Sequence, residues 1–132
     1  LVEGINFNFD SIMTTPNSFN SHRLLALAYK QGVQENVLDS LFESYFLNGE
    51  DIGDPNVLLD IAIKHKIGAE DFKSYLSDQD NIEPLANEEI QARKMGINSV
   101  PTFIINKQIV INGAQTSENF EIIFQKLKNS LN

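Results

Sequence analysis

Val100-Pro101 stands directly before Thr102-Phe103-Ile104-Ile105, a run rich in β-branched and aromatic residues. Proline locks its own φ, lacks a backbone donor and holds the residue before it in extended conformations. Such a pair cannot lie inside a helix or a central strand, so it must open the strand that follows. An X-Pro bond is also where a cis peptide is found, usually in a tight turn. On local residues alone, a cis bond and an ordinary trans proline at a strand start fit equally well. Ile109-Val110-Ile111 follows after Lys107-Gln108, so the two runs read as an antiparallel hairpin, which Gly113 ends.

Ser11 to Asn20 reads as a loop, with Pro16-Asn17-Ser18 as turn chemistry, and from there to Gly96 the chain reads as five helices, with a turn at Gly49 to Asp54. The spacing predicts helices over about Ser21 to Gln31, with Leu24, Leu25, Leu27 and Ala28 inward, and over Gln34 to Leu47, with Val37, Leu38, Leu41, Phe42, Tyr45 and Phe46 inward. Ser18, Asn20 or Ser21 is expected to cap the first, and Gly32 to end it. Asp54-Pro55 has the pattern of a cap followed by proline at the first helical position, starting a third helix that closes near His65. Ala69 to Ser77 is a fourth. A fifth opens at Asp80 or Asn81 and runs to Met95. After the hairpin, Thr116 or Ser117 caps a last helix, with Glu118 favourable to its dipole and Phe120, Ile123, Phe124, Leu127 and Leu131 as its buried stripe. Ahead of all this, Ile5-Asn6-Phe7-Asn8-Phe9-Asp10 alternates with period two and predicts a strand.

The length of 132 residues fits one domain with one core. The net charge of −8 repels phosphate backbones and anionic lipid surfaces, so neither nucleic acid nor membrane is an expected partner. Glu50, Asp51 and Asp54 lack the ligand spacing of a calcium loop, and His65 has Ile61 and Ala69 at i−4 and i+4, so no metal site is expected. The Phe42, Tyr45, Phe46 stripe reads as core. The chain has no cysteine, which excludes disulfides and thiol catalysis within these residues.

The run Gly96-Ile97-Asn98-Ser99-Val100-Pro101-Thr102-Phe103, with the hairpin, Gly113-Ala114-Gln115 and a last amphipathic helix, resembles the C-terminal half of a thioredoxin fold. Pro16-Asn17-Ser18-Phe19-Asn20-Ser21-His22-Arg23-Leu24-Leu25 resembles the loop and first insert helix of the DsbA-like family. Leu41-Phe42-Glu43-Ser44-Tyr45-Phe46 with Asp51-Ile52-Gly53-Asp54-Pro55 resembles the next part of that insert. The resemblance covers nearly the whole chain and points to the branch of predicted dithiol-disulfide isomerases related to FrnE. It implies an α/β class, a thioredoxin-like fold of DsbA type with an α-helical insert. Residues 1–15 would be strand and loop, 16–95 the insert and connecting helix, and 96–132 the cis-Pro loop, hairpin and C-terminal helix. The family's first strand and its Cys-x-x-Cys helix have no counterpart, so the sequence is expected to be a fragment. Otherwise another chain fills the gap, as in a homodimer or strand-swapped dimer.

The resemblance implies a thiol-disulfide oxidoreductase or isomerase acting on a protein or small-molecule thiol or disulfide, with glutathione as an allowed co-substrate and no other cofactor. No residue of this chain is then a catalytic thiol. Ser99, Val100, Pro101 and Thr102 would form the loop whose backbone pairs with extended substrate. Ser99 stands where the family usually has glycine, and either narrows the approach or adds a donor. Asn17 and His22 would flank the ligand, as in the related kappa-class glutathione transferases and hydroxychromene carboxylate isomerases. Gln115 would precede a helix start able to hold a carboxylate. For each the plainer role also stands: turn, cap or solvent-facing residue. Two other functions fit the pattern, a kappa-type transferase or isomerase and a redox-inactive peptide-binding module. A cytoplasmic location is expected from the branch.

Overall fold

The computed structural model describes residues 4–107 and 109–130. Leu131, expected in the last stripe, Gln108, expected between the strands, and Leu1-Val2-Glu3 lie outside them. Six α-helices and one hairpin follow in order: α1 (Phe19–Lys30), α2 (Gln34–Phe42), α3 (Pro55–Lys64), α4 (Ala69–Ser77), α5 (Ile82–Lys94), β1 (Thr102–Ile105), β2 (Ile109–Asn112) and α6 (Ser117–Ser130). They divide into two compact units, one ending at Ala86 and one starting at Asn87, a division that falls within α5.

In the first unit, α1 packs against α2, α3 and α4, and α3 against α2 and α4. Leu24, Leu27, Ala28, Val37, Leu41, Leu58, Ile61, Ala62, Ile67 and Phe72 form its core. The turns that bring these helices together follow from their ends. At α1, Gly32 takes φ 72°, its N–H reaches Tyr29 O at 3.1 Å, and Val33 N–H reaches Ala28 O at 3.0 Å. This double bond pattern is a Schellman cap, and its left-handed residue is ordinarily glycine. The end of α3 closes identically, with Lys66 N–H on Ile63 O and Ile67 N–H on Ala62 O, both at 2.9 Å, yet Lys66 takes the left-handed φ of 64°. The residue after it, Ile67, is fully buried. Its apolar burial offsets the strain that a side chain meets at positive φ. At the other end of α3, Asp54 Oδ1 accepts from Asn56 N–H at 2.8 Å, with Pro55 at the first helical position, as the sequence predicts.

Several expectations need correction. The alternating segment 5–10 is not a strand: residues 4–8 carry no regular structure, and Phe9–Ser11 form one 3-10 turn. Among the described residues no strand lies beside this segment to complete a ladder, and an unpaired strand leaves its donors and acceptors unsatisfied. Asn8 N–H instead donates to Phe46 O at 2.9 Å. The second helix does not run uniformly to Leu47. It passes at Glu43–Leu47 into a π turn, closed by Asn48 N–H on Glu43 O at 3.1 Å. The aromatic stripe there is not core, since Phe42 is 54% exposed and Tyr45 and Phe46 are half-buried. The first helix starts at Phe19, where Asn17 Oδ1 accepts the Phe19 N–H at 3.0 Å, and Ser18 makes no side-chain cap bond.

The second unit holds the hairpin and α6. Thr102 pairs with Asn112, Phe103 with Ile111, Ile104 with Val110, and Ile105 with Ile109. Strand periodicity puts Phe103, Ile105, Ile109 and Ile111 on one face. The Phe103 ring meets Phe120 of α6 edge-on at 4.8 Å, and Phe120 stacks on Phe124 at 5.9 Å. The expected buried stripe of α6 is only half-buried, and Phe124 is exposed, because one two-stranded hairpin is too narrow to cover a helix.

Phe72 sits at the centre of the core at 1% exposure, and Phe124 has most of its ring in water. Phe72→Ala should therefore lower unfolding free energy by about 3–5 kcal/mol and Phe124→Ala by less than about 1 kcal/mol, measured by urea titration.

Candidate functional site

The residues singled out in the sequence fall into two groups, one in each unit. Ser99, Val100, Pro101 and Thr102 form the loop that enters β1, and the Val100–Pro101 peptide bond is cis. Gly113 N–H donates to Pro101 O at 2.8 Å and closes the base of the hairpin, with Gly113 at φ 82°. The Thr102 hydroxyl lies 2.6 Å from Ser99 O and 2.9 Å from Asn112 Oδ1, so its single proton is shared between two acceptors. These bonds pin both ends of the loop and leave its middle in water. Val100 is 91% exposed, and Ser99 and Pro101 are exposed beside it. Among the described residues no backbone hydrogen bond engages Val100.

Gln115 follows the end of β2. Its Nε2 donates to Asn112 O and Gly113 O, both at 3.4 Å, while its Oε1 accepts from Asn119 Nδ2 at 3.3 Å. The side chain thus ties β2 to the first turn of α6. Thr116 caps that helix, its Oγ1 accepting the Asn119 N–H at 3.3 Å. The Glu118 carboxyl is held below the ordinary glutamate range. Its own backbone N–H contributes most and the Thr116 hydroxyl next; desolvation acts in the opposite sense, and Ser117 adds the smallest lowering share.

Asn17 and His22 belong to the first unit. Asn17 uses its carboxamide oxygen in the turn before α1. Gly53 packs on the backbone of that turn: a Cβ there would lie 3.1 Å from Asn17 O. His22 is exposed on the first turns of α1. Its neighbour Arg23 points inward at 4% exposure and donates through Nη2 to Tyr75 O at 2.9 Å and Asp78 O at 3.0 Å. Arg23 thereby caps the C-terminal end of α4, where carbonyls lack helical partners and the dipole favours a cation.

Two side-chain links escape a reading by spacing alone. One is Arg23. The other is Ser40 Oγ, 2.8 Å from His65 Nε2, which ties α2 to the end of α3. The signal for both is a polar residue on a helix face that is otherwise apolar: Ser40 lies between Val37 and Leu41, and Arg23 beside Leu24. A polar group on such a face needs a partner. Among the described residues no group of three or more His, Asp or Glu stands close enough to hold a metal ion, and no helix is long and apolar enough to cross a membrane.

Five helices, then a hairpin opened by proline, then a closing helix define an α/β protein with a thioredoxin-like fold of DsbA type. The sequence matches the family described as DSBA-like thioredoxin domain over residues 2–125, and the chain belongs to that family. Among solved structures it is similar to the probable DsbA oxidoreductase of Streptomyces coelicolor, at 27% identity and a TM-score of 0.69. The similarity covers 83% of this chain and 47% of that one, so the chain spans about half the length of that relative. No curated protein matches it.

Two measurements test these contacts. Arg23→Ala removes both bonds to the end of α4 and should cost about 2–4 kcal/mol in urea unfolding. The Glu118 carboxyl should titrate by NMR below the ordinary glutamate range, and Thr116→Ala should move it back up. Because its folded pKa is depressed, the stability it contributes is complete above the unfolded pKa and is lost as pH falls through the folded pKa.

Proposed function

We propose that this chain is part of a thiol-disulfide oxidoreductase or isomerase, of the FrnE-like branch, whose redox dithiol lies outside these 132 residues. The observation that carries this reading is membership of the DsbA-like family across residues 2–125 in a chain without cysteine. The similarity to a probable DsbA oxidoreductase, of which it covers 47%, supports it.

In this reading the dithiol supplies the chemistry. A thiolate attacks a substrate disulfide sulfur, a mixed disulfide forms, and the second thiol resolves it, so one disulfide is exchanged for another. The residues of this chain bind and orient. Val100 offers an exposed backbone, unpaired among the described residues, to an extended substrate, in the manner of strand addition. Ser99 places a hydroxyl at the approach, and Thr102 holds the loop's shape through the Ser99 carbonyl. His22 is free to face solvent or a thiol ligand such as glutathione, while Asn17 and Gln115 serve mainly the turn before α1 and the start of α6.

The second reading, a redox-inactive peptide-binding module, is favoured by the zero cysteine count for the 132 residues taken alone. One pair of assays separates the two. The full product of the parent open reading frame should carry Cys-x-x-Cys ahead of Leu1 and reduce a disulfide probe, whereas the 132-residue chain should be inert. An intact protein that binds extended peptide at Ser99 to Thr102 but shows no thiol exchange would establish the binding module instead.

A further inference from the structure

The pair Asn-Gly occurs twice, at Asn48-Gly49 and at Asn112-Gly113. In this dipeptide an asparagine loses its side-chain amide most readily, because glycine has no Cβ to shield its backbone nitrogen from the neighbouring carboxamide carbon. Local sequence makes the two pairs equivalent, but the fold separates them. Gly113 N–H donates to Pro101 O at 2.8 Å, and Asn112 Oδ1 accepts from the Thr102 hydroxyl at 2.9 Å. Asn112 is also held in the ladder opposite Thr102. Both reacting groups of that pair are therefore engaged. At the other pair, Asn48 is exposed just past the π turn, and among the described residues no hydrogen bond engages its carboxamide or the Gly49 N–H. Nor can the position lose its glycine: Gly49 takes φ 71°, and a Cβ there would lie 2.5 Å from Ser11 O. The turn requires the glycine and leaves the asparagine free.

We propose that Asn48-Gly49 is a site of spontaneous deamidation in the folded protein. The Gly49 nitrogen gives up its proton and attacks Asn48 Cγ. The new N–Cγ bond forms, the Cγ–Nδ2 bond breaks, and ammonia leaves with that proton, closing a succinimide ring. Water then adds to one ring carbonyl and opens the ring, giving aspartate at 48 or its isoaspartyl isomer. Nothing is oxidised or reduced, and water is the one co-reactant. Either product disturbs its surroundings. The new carboxylate joins Glu43, Glu50 and Asp60 around a pocket of about 240 Å³, where Lys64 is the one cation among the lining residues and is already paired with Glu43 at 3.3 Å. It also stands at the C-terminal end of the π turn, where backbone carbonyls disfavour an anion. The isoaspartyl form adds a methylene to the main chain between two bonds that close the turn, Asn48 N–H on Glu43 O at 3.1 Å and Glu50 N–H on Ser44 O at 2.9 Å. The site does not depend on whether the protein carries a dithiol.

The test incubates the full product of the parent open reading frame at mildly alkaline pH in heavy-oxygen water, folded and in urea, and follows both pairs by peptide mass mapping. In the folded protein position 48 should gain the acid mass and the oxygen label. Position 112 should react at least about tenfold more slowly, since local opening must break its two hydrogen bonds. In urea the two should react at similar rates. Incubation should lower Tm by roughly 3 °C, and by less at high salt. Asn48→Gln, whose longer side chain closes the ring poorly, should abolish both the change at 48 and that fall. A folded protein in which position 48 reacts as slowly as position 112 overturns the proposal. So does a lag at position 112 that persists in urea, because the difference would then lie in local sequence and not in the fold. A fall in Tm that survives in Asn48→Gln would overturn the effect on stability.

Discussion

A helix satisfies its backbone within itself, but a strand depends on its neighbours. In the first unit, four helices meet the requirement internally and need only bury one face each. They do so around Phe72, Leu24, Leu58, Ile67 and Val37. In the second unit, two strands satisfy each other along one shared edge and leave their outer edges unpaired among the described residues. The segment 5–10 has strand-like alternation but, among the described residues, no strand beside it, and Asn8 N–H instead binds Phe46 O of the π turn.

The same dependence explains the distribution of burial. Every residue of the core cluster belongs to the first unit, while Ile104, Val110, Ile122 and Phe124 of the second stay exposed. The hairpin is apolar on both faces, the pattern of strands meant to be covered twice. Among the described residues, the face bearing Phe103 is the one with a ring packed on it, that of Phe120. In the first unit Phe7, Phe9 and Phe42 are likewise exposed.

Polar residues hold what apolar packing leaves loose. Arg23 binds the last carbonyls of α4, Ser40 meets His65 at the end of α3, and Ser21 Oγ donates to Ile52 O at 2.6 Å. Each joins a helix of the core to a helix end or loop, where carbonyls or ring nitrogens lack partners of their own. In the second unit Thr102 and Gln115 do the same work for the loop and the hairpin base. The exposed residues Ser99 to Pro101 of that loop are therefore held by hydrogen bonds of Thr102 and Gly113.

The sequence alone determined the helices, since their spacing, the Asp54-Pro55 start and the glycines at 32 and 96 are local signals that act within a few residues. It also determined the hairpin and the family, because Val-Pro before a β-branched run, in order with the insert motifs, is itself a local pattern. Only the tertiary structure decided that segment 5–10 would not pair, that Phe42 would face water, that Lys66 would adopt a left-handed backbone, and that Arg23 would point inward. Those outcomes depend on what lies across from each residue. Periodicity names the face that wants burial, but whether a neighbour arrives to bury it is a property of the assembled chain.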